Sequence, residues 1–590
     1  LANFLQLTHP MSVDVYVAGI IAHAKLVVIR LLGGVTYWPY GVEQIAHICR
    51  RNDIRFAALP GEDTPDPELA QYGTVPSEDA HRLWQYLVHG GSANIDNFLG
   101  YAAHLLGIDS EWAEPVPLMT AGLYWPDTQM VDMSVLHRHW KKDAPVAAVT
   151  FYRALLQSGN TEPVDAMIAA LQKRDLNPLP IYIQSLKESI SAGVVEQTLC
   201  DVPPDVILNT TGFAVSTPGV ERNRTPFDSA DCPVLQTVFS ATSEDVWAGS
   251  DAGLVARDIA MNVALPEVDG RVLTRAVAFK SEARFDAATQ AAIVKHLPSL
   301  DRIDFVAELA AAWIRLARTP PPERRIAMVL ANYPNRDGRL GNGVGLDTPA
   351  GTITLLHAMK DSGYGISNLP NDGASLIARL LDGPTNHGVL ARRVEETISI
   401  ADYQFFFSGL PQTIRDAVSE RWGAPESDPF YLDDAVGYGA LAIPVFRLGK
   451  IAIGLQPARG YNIDPAKSYH DPDLVPPHSY FAFYAWIRLQ FNADAVVHMG
   501  KHGNLEWLPG KSLALSVNCF PEAALGPLPN VYPFIVNDPG EGTQAKRRTS
   551  AVIVDHLTPP LARAETYGPL ADLERLVDEY YEAAGLDPRR

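Results

Sequence analysis

Three stretches of this chain repeat one theme: a β-branched apolar run, a glycine or polar loop, an amphipathic helix and a second strand. That order is the mark of strand–helix–strand units, which place parallel strands side by side in an open sheet. In the first, Leu26 to Leu32 leads through Gly33 and Gly34 to a helix near 40–51 and a strand from Ile54 to Leu59. In the second, a strand from Val146 to Tyr152 passes Gly159 to a helix opened by Thr161-Glu-Pro163. Val164, Met167, Ile168 and Leu171 share one face of it, and a strand follows from Leu179 to Ile183. The third runs from Arg325 to Leu330 through Gly338, Gly341, Gly343 and Gly345 to a helix opened by Asp347-Thr-Pro349 and ending near Lys360.

The expected class is therefore α/β and multi-domain, with several open parallel sheets and additional helices. A helix over Phe305 to Ala317 must end at Pro320-Pro-Pro322, which marks one boundary. A proline-dotted polar stretch from Glu111 to Leu118 marks another. The expected units are an N-terminal α/β head over 1–120, an α/β domain with a linker helix over 121–322, and a body domain over 323–590. Near the end, Leu573, Leu576, Val577, Tyr580 and Tyr581 line one helix face stopped by Gly585.

Composition removes several function classes. A net charge of -20 on 590 residues disfavours nonspecific binding to nucleic acid or acidic lipid. Cys49, Cys200, Cys232 and Cys519 are far apart and form no CxxC pair, which fits a reducing cytoplasm. No apolar run approaches the roughly 18 to 20 residues of a membrane span.

Chemistry concentrates in His498-Met-Gly-Lys-His502-Gly-Asn-Leu-Glu506-Trp-Leu-Pro-Gly510, behind the apolar run that starts at Ala493. A core strand that breaks into glycines ends in a loop able to present side chains to a ligand. Imidazole with carboxylate both moves protons and holds a borderline divalent cation. The plain alternative is a set of satisfied polar residues at a strand end. Neither HExxH nor paired cysteines occur, so the familiar zinc patterns do not apply. Pro509-Gly510-Lys511-Ser512 imitates the end of a phosphate-binding P-loop, but that motif needs glycine where Leu505 stands.

Two further clusters are candidates. From Gln456 to Tyr480 the chain carries Arg459, Tyr461, Lys467, His470 and His478 among prolines and aspartates, as a structured loop does. Asn537 to Arg548 turns through glycines into Lys546, Arg547 and Arg548, which form either a solvated helix face or a seat for a polyanionic small molecule. The glycine-rich loop before Asp347 is read either as an anion site at a helix N-terminus or as a connector.

The same residues carry a family resemblance. His498 to Lys511, Gln456-Pro-Ala-Arg-Gly-Tyr461, Pro529-Asn-Val-Tyr-Pro533 and Ala545-Lys-Arg-Arg548 resemble the large-subunit family of the class I chelatases. That family comprises CobN of the aerobic cobaltochelatase and the H subunit of magnesium chelatase, which insert a metal into a tetrapyrrole. Tyr469 to His478, Leu5 to Asp14, Arg30 to Gly34 and Tyr37 to Tyr40 resemble the cobalt branch. Gly460-Tyr-Asn-Ile-Asp-Pro465 departs from the glutamate-containing Gly-Tyr-Glu-Gly-Asp-Pro of the magnesium branch. Family members run well past the position of Arg590, so the chain is expected to be the first part of a longer subunit.

The resemblance implies that Co²⁺ enters hydrogenobyrinic acid a,c-diamide, a corrin precursor of cobalamin, while AAA+ partners of the CobS and CobT type hydrolyse ATP-Mg. Magnesium insertion into protoporphyrin IX and a noncatalytic tetrapyrrole-binding scaffold are the alternatives. It assigns Glu506 as proton acceptor and transient ligand, with His502 and His498 as metal-delivering imidazoles. Arg459, Tyr461, His470, His478, Lys546, Arg547 and Arg548 are the expected substrate contacts.

Overall fold

The structure is a computed structural model that describes residues 2–287, 291–332, 335, 337–343, 346–433, 439–460, 462–464, 471–500, 503–533, 539–555, 572, 573, 575–577 and 579. Strands Leu26–Leu31 and Arg55–Pro60 pair in parallel, with Leu26 opposite Arg55. The helix between them, Pro39–Arg51, starts on a proline and buries Val42, Ile45, Ala46 and Cys49 along one face.

The second sheet has seven strands. Its order in space is Ala121–Leu123, Asn177–Ile183, Val146–Tyr152, Val206–Asn209, Val234–Ser240, Val272–Asp286 and Ala291–Pro298. The five inner strands are parallel, and both edge strands run antiparallel. Sequence periodicity did not announce those edges. Asn177–Ile183 is buried at every position, as a central strand covered on both faces requires. Helix Leu300–Arg318 then packs Ile303, Val306, Ala310 and Ile314 against this sheet through Ala147, Val149 and Val277.

The third sheet has six strands in the order Val445–Leu448, Ile451–Leu455, Ile326–Leu330, Ala495–Met499, Asn530–Pro533 and Ala551–Val554. Only Val445–Leu448 is antiparallel to its neighbour. After Ile326–Leu330 the chain forms helix Thr348–Asp361, then a small antiparallel sheet of Glu396–Ser399, Ala440–Ile443 and Tyr431–Leu432, before returning. It lays strands first on one side of Ile326–Leu330 and then on the other. That central strand is therefore a topological switch point, where the loops at the carboxyl ends of an open parallel sheet part to leave a crevice.

Helix His478–Ala485 is buried at all eight positions. A helix that is apolar all round belongs in a core, and Phe481 and Phe483 lie in the largest apolar cluster, with Ile443, Ile398 and Val496. Burying each such side chain contributes about 1.5–3 kcal/mol.

The second and third sheets share a built interface. The Glu522 carboxylate accepts from Arg275 at 2.7 Å and from Arg302 at 2.8 Å, all three buried. The Trp247 indole donates to the Ala514 carbonyl at 2.9 Å, and Arg302 donates to the Leu515 carbonyl at 3.0 Å. Leu513 and Ala514 lie in one apolar cluster with Val238, Trp247 and Phe279. All four cysteines are free, and no helix among the described residues is long and apolar enough to cross a membrane.

Candidate active site at the sheet edge

The crevice loops leave three adjacent strands, at Ala331, Gln456 and Gly500. The Gln456 amide donates to the Leu330 carbonyl and the Ala331 amide to the Met499 carbonyl, which ties the three strand ends together. Gly500 has φ +149°, and a Cβ there would stand 2.5 Å from the Ala331 Cβ. Only glycine lets the loop leave the sheet this close to its neighbour. Asn386 latches the next segment, donating to the Gln456 carbonyl at 3.0 Å and accepting from the Ala458 amide at 2.9 Å.

Glu506 lies in the short 3-10 turn Leu505–Trp507 and is 1% exposed. Its Oε1 accepts from the Gly503 amide at 3.1 Å and from the Tyr532 hydroxyl at 3.4 Å. His498 is not in the loop, as the sequence suggested, but inside strand Ala495–Met499 with its ring buried. The ring stacks on Tyr532 at 5.4 Å, bonds Asn530 through Nδ1 at 2.9 Å, and meets the Tyr484 hydroxyl through Nε2 at 3.3 Å. Burial pushes this imidazole from its ordinary value down to about 4, and the Asn530 bond offsets that only in part. It is a neutral, held ring.

Around these two lies a polar network. Gln456 Nε2 donates to the hydroxyls of Tyr480 and Tyr484, each at 3.1 Å. The Tyr480 hydroxyl donates to Asn504 Oδ1 at 2.9 Å, and Asn504 Nδ2 donates to the Pro457 carbonyl at 2.8 Å. Burial holds the hydroxyls of Tyr480, Tyr484 and Tyr532 protonated, well above the ordinary phenol range. Gln456, Tyr484, Asn504, Asn530 and Tyr532 were not picked out for a role in the sequence. Two signals were available: tyrosines four apart in an otherwise aromatic helix, and Asn530 with Tyr532 two apart on one strand face.

The remaining candidates divide. Arg459 is buried and donates to the Trp507 carbonyl at 2.6 Å, which places it beside Glu506. Arg548 is buried and donates to the carbonyls of Lys511 at 2.9 Å, Gly510 at 3.1 Å and Glu506. It clamps the backbone of the Glu506 loop instead of facing a ligand. Arg547 grips Glu267 through two bonds of 3.1 and 2.9 Å, and Lys546 reaches the same carboxylate at 3.4 Å. Both cations thus share one carboxylate, carried by the helix Leu265–Val268 beside the second sheet. His478 opens its helix and is buried, with Nδ1 2.7 Å from the Tyr403 hydroxyl and Nε2 3.0 Å from the Gly423 carbonyl. Tyr461, His470 and His502 lie outside the described residues, as do Tyr580, Tyr581 and Gly585.

Two decoys acquire structural explanations. Lys511 Nζ donates to the carbonyls of Trp247, Ala248 and Ser250 at 2.8, 2.9 and 2.7 Å, so it holds the interface between the second and third sheets and not a phosphate. At the glycine-rich loop, the Asp347 side chain caps helix Thr348–Asp361 by accepting from the Ala350 amide at 3.0 Å. A carboxylate already occupies the helix N-terminus where an anion would sit.

The family model described as CobN/Magnesium Chelatase matches residues 84–590. The chain belongs to this family. Among CobN/magnesium chelatase relatives, the aerobic cobaltochelatase subunit CobN of Sinorhizobium sp is 54% identical, over 100% of this chain and 46% of its own length. The magnesium-chelatase H subunit of Rhodobacter capsulatus is 28% identical, over 88% of this chain and 45% of its own. The solved catalytic subunit of cobaltochelatase from Mycobacterium tuberculosis superposes with a TM-score of 0.78 at 36% identity, over 98% of this chain and 47% of that one. The chain spans about half the length of the curated relatives it matches. Within the CobN/magnesium chelatase family it stands nearer to these cobalt-named members, as its motifs between Gly460 and His478 suggested.

Proposed function

We propose that this chain forms the tetrapyrrole-binding, metal-inserting part of a cobaltochelatase large subunit. Co²⁺ is the substrate cation and a corrin of the hydrogenobyrinic acid a,c-diamide class its acceptor. The observation that carries this reading is a buried carboxylate, Glu506, beside the carboxyl ends of the central strands of the third sheet, with the Gly503 amide and the Tyr532 hydroxyl on its Oε1.

Metal insertion must strip water from the cation, take up the N–H proton that the corrin releases and hold the ion until the ring nitrogens capture it. A carboxylate in a dry site does both kinds of work, first as ligand and then as base. Glu506 is that group, its Oε1 fixed by the Gly503 amide and Tyr532. His502, four residues before it, is the proposed imidazole beside the cation. His498, with both nitrogens engaged, positions the strand end. Arg459 is the proposed partner of a substrate carboxylate, with Tyr461 and His470 as the further substrate contacts that the family resemblance implies. ATP hydrolysis is assigned to AAA+ partners of the CobS and CobT type, a division supported by Lys511 being locked among backbone carbonyls.

The test has two arms. Titration with hydrogenobyrinic acid a,c-diamide and with protoporphyrin IX, followed by ligand absorbance, should give tight binding of the corrin only. Porphyrin preference would move the protein to magnesium insertion, and failure to bind either would remove the tetrapyrrole-binding reading. With partners and ATP, Glu506→Gln should slow cobalt insertion by about 10²–10⁴-fold without loss of corrin binding. A normal rate would remove Glu506 from the chemistry.

A further inference from the structure

Gln456 is 2% exposed, and its Oε1 finds no hydrogen-bond partner among the described residues. Orphaned buried carbonyl oxygens are rare and call for an explanation. An amide flip would be the simplest, exchanging oxygen and nitrogen, but the surrounding network forbids it.

The Thr549 hydroxyl lies 2.7 Å from the Ala545 carbonyl and must donate to it. Its oxygen is then an acceptor for Asn530 Nδ2 at 2.9 Å, which turns Asn530 Oδ1 towards His498. His498 therefore carries its proton on Nδ1, and its bare Nε2 accepts from Tyr484. On the other branch, Asn504 Nδ2 must donate to the Pro457 carbonyl, so Asn504 Oδ1 accepts the Tyr480 proton. Both phenol protons are committed. The two phenol oxygens can only accept, and both face the Gln456 Nε2 hydrogens. Two backbone carbonyls thus dictate, through six side chains, that Gln456 presents a carbonyl oxygen.

That oxygen points at Gly503. A Cβ built on Gly503 would lie 3.2 Å from Tyr532 Oη, 3.3 Å from Glu506 Oε2 and 3.4 Å from Gln456 Oε1. Three oxygens of different chemistry thus converge beside Gly503, at a place where the absence of a side chain lets them approach one another. Carboxylate, carboxamide and phenol oxygens together suit a hard or borderline divalent cation.

We propose that Gln456 is a cation-binding residue of this site, supplying a neutral oxygen to a divalent metal ion held with Glu506 in the cradle over Gly503. The assignment rests on the metal-inserting reading of Glu506 and adds to it a ligand whose orientation is set by the protein before any metal arrives. A neutral donor beside a single carboxylate leaves the bound ion with net positive charge, so it is held weakly enough to be surrendered to a ring.

The test uses the full chain with Co²⁺ alone, read by the visible absorption of the protein-bound ion. Gln456→Leu should weaken Co²⁺ binding at least about tenfold, and Gln456→Glu should hold it as tightly as the wild type or tighter. Glu506→Gln should also lose binding. If Gln456→Leu binds Co²⁺ normally while Glu506→Gln does not, this inference is overturned and the reading of Glu506 stands. If neither substitution matters, the metal-inserting reading itself fails. Gln456→Leu could instead disturb the tyrosines, so Tyr480→Phe is the control. It removes one acceptor of the Gln456 amide without touching the cradle oxygens, and normal Co²⁺ binding there assigns the Gln456→Leu loss to the missing oxygen. A tenfold loss in Tyr480→Phe as well would overturn the direct role.

Discussion

At the scale of single residues, the site is governed by which polar atoms are buried and what each can accept or donate. His498 gives a pH prediction. Burial takes its imidazole from an ordinary 6.5 to about 4, so the folded protein keeps it neutral where the unfolded chain would bind a proton. Stability from this group is complete above pH 6.5 and is lost as the pH falls from 6.5 towards 4, by on the order of 3 kcal/mol. His498→Gln should therefore flatten the acid limb, with its thermal midpoint falling less than that of the wild type between pH 7 and pH 4.5. Equal slopes would mean that this ring titrates normally. Glu506 and His498 stood out in the sequence because imidazole and carboxylate are few and lay beside glycines. Gln456, Asn504, Asn530 and Tyr532 did not, because amides and tyrosines are common and acquire meaning only from what faces them. Asn530 reaches His498 solely because the sheet sets Asn530–Pro533 next to Ala495–Met499.

At the scale of elements, parallel strands were legible because burial on both faces makes them continuous apolar runs bounded by glycine or proline. The strands at 146–152 and 326–330, and the helix opening at Glu162, fall where that rule puts them. The antiparallel edges were not legible. Val272–Asp286 changes from wholly buried to mostly exposed along its length, and no single period describes it. Helix Pro539–Thr549 shows how a charge run misleads. Three cations in its last turn match the helix dipole, yet Arg548 turns inward to three carbonyls of the Glu506 loop. Removing it strands those carbonyls in a dry place, at a cost of about 1–3 kcal/mol each where water cannot enter. Arg548→Met should speed amide hydrogen exchange across 505–511 and slow metal insertion, whereas Arg547→Met should leave exchange in that loop unchanged. Equal protection in both variants would show that the clamp is not what holds Glu506.

At the scale of the whole molecule, the loop bearing Glu506 is fixed from both large sheets at once, because its continuation through Lys511 to Leu515 is bonded to Trp247, Ala248, Ser250 and Arg302. Two of the ionic contacts between the parts built on the second and third sheets should answer salt differently. Glu522 lies buried between Arg275 and Arg302, so truncating it leaves the Arg275 guanidinium without its counter-charge and Arg302 with Asp301 alone, a loss of about 3–5 kcal/mol. Glu267 meets Arg547 and Lys546 nearer the surface, where such pairs contribute about 0–1 kcal/mol and are screened by salt. Glu522→Ala should lower the thermal midpoint by the same margin at 50 mM and 500 mM salt, while the small effect of Glu267→Ala should vanish at the higher concentration. If Glu522→Ala also separates unfolding into two transitions, the buried triad is what makes the two sheets one cooperative body. A site whose loop is pinned to both halves would then feel any rotation of one sheet against the other at Glu506, which is the route that the proposed reading offers for coupling to its partners.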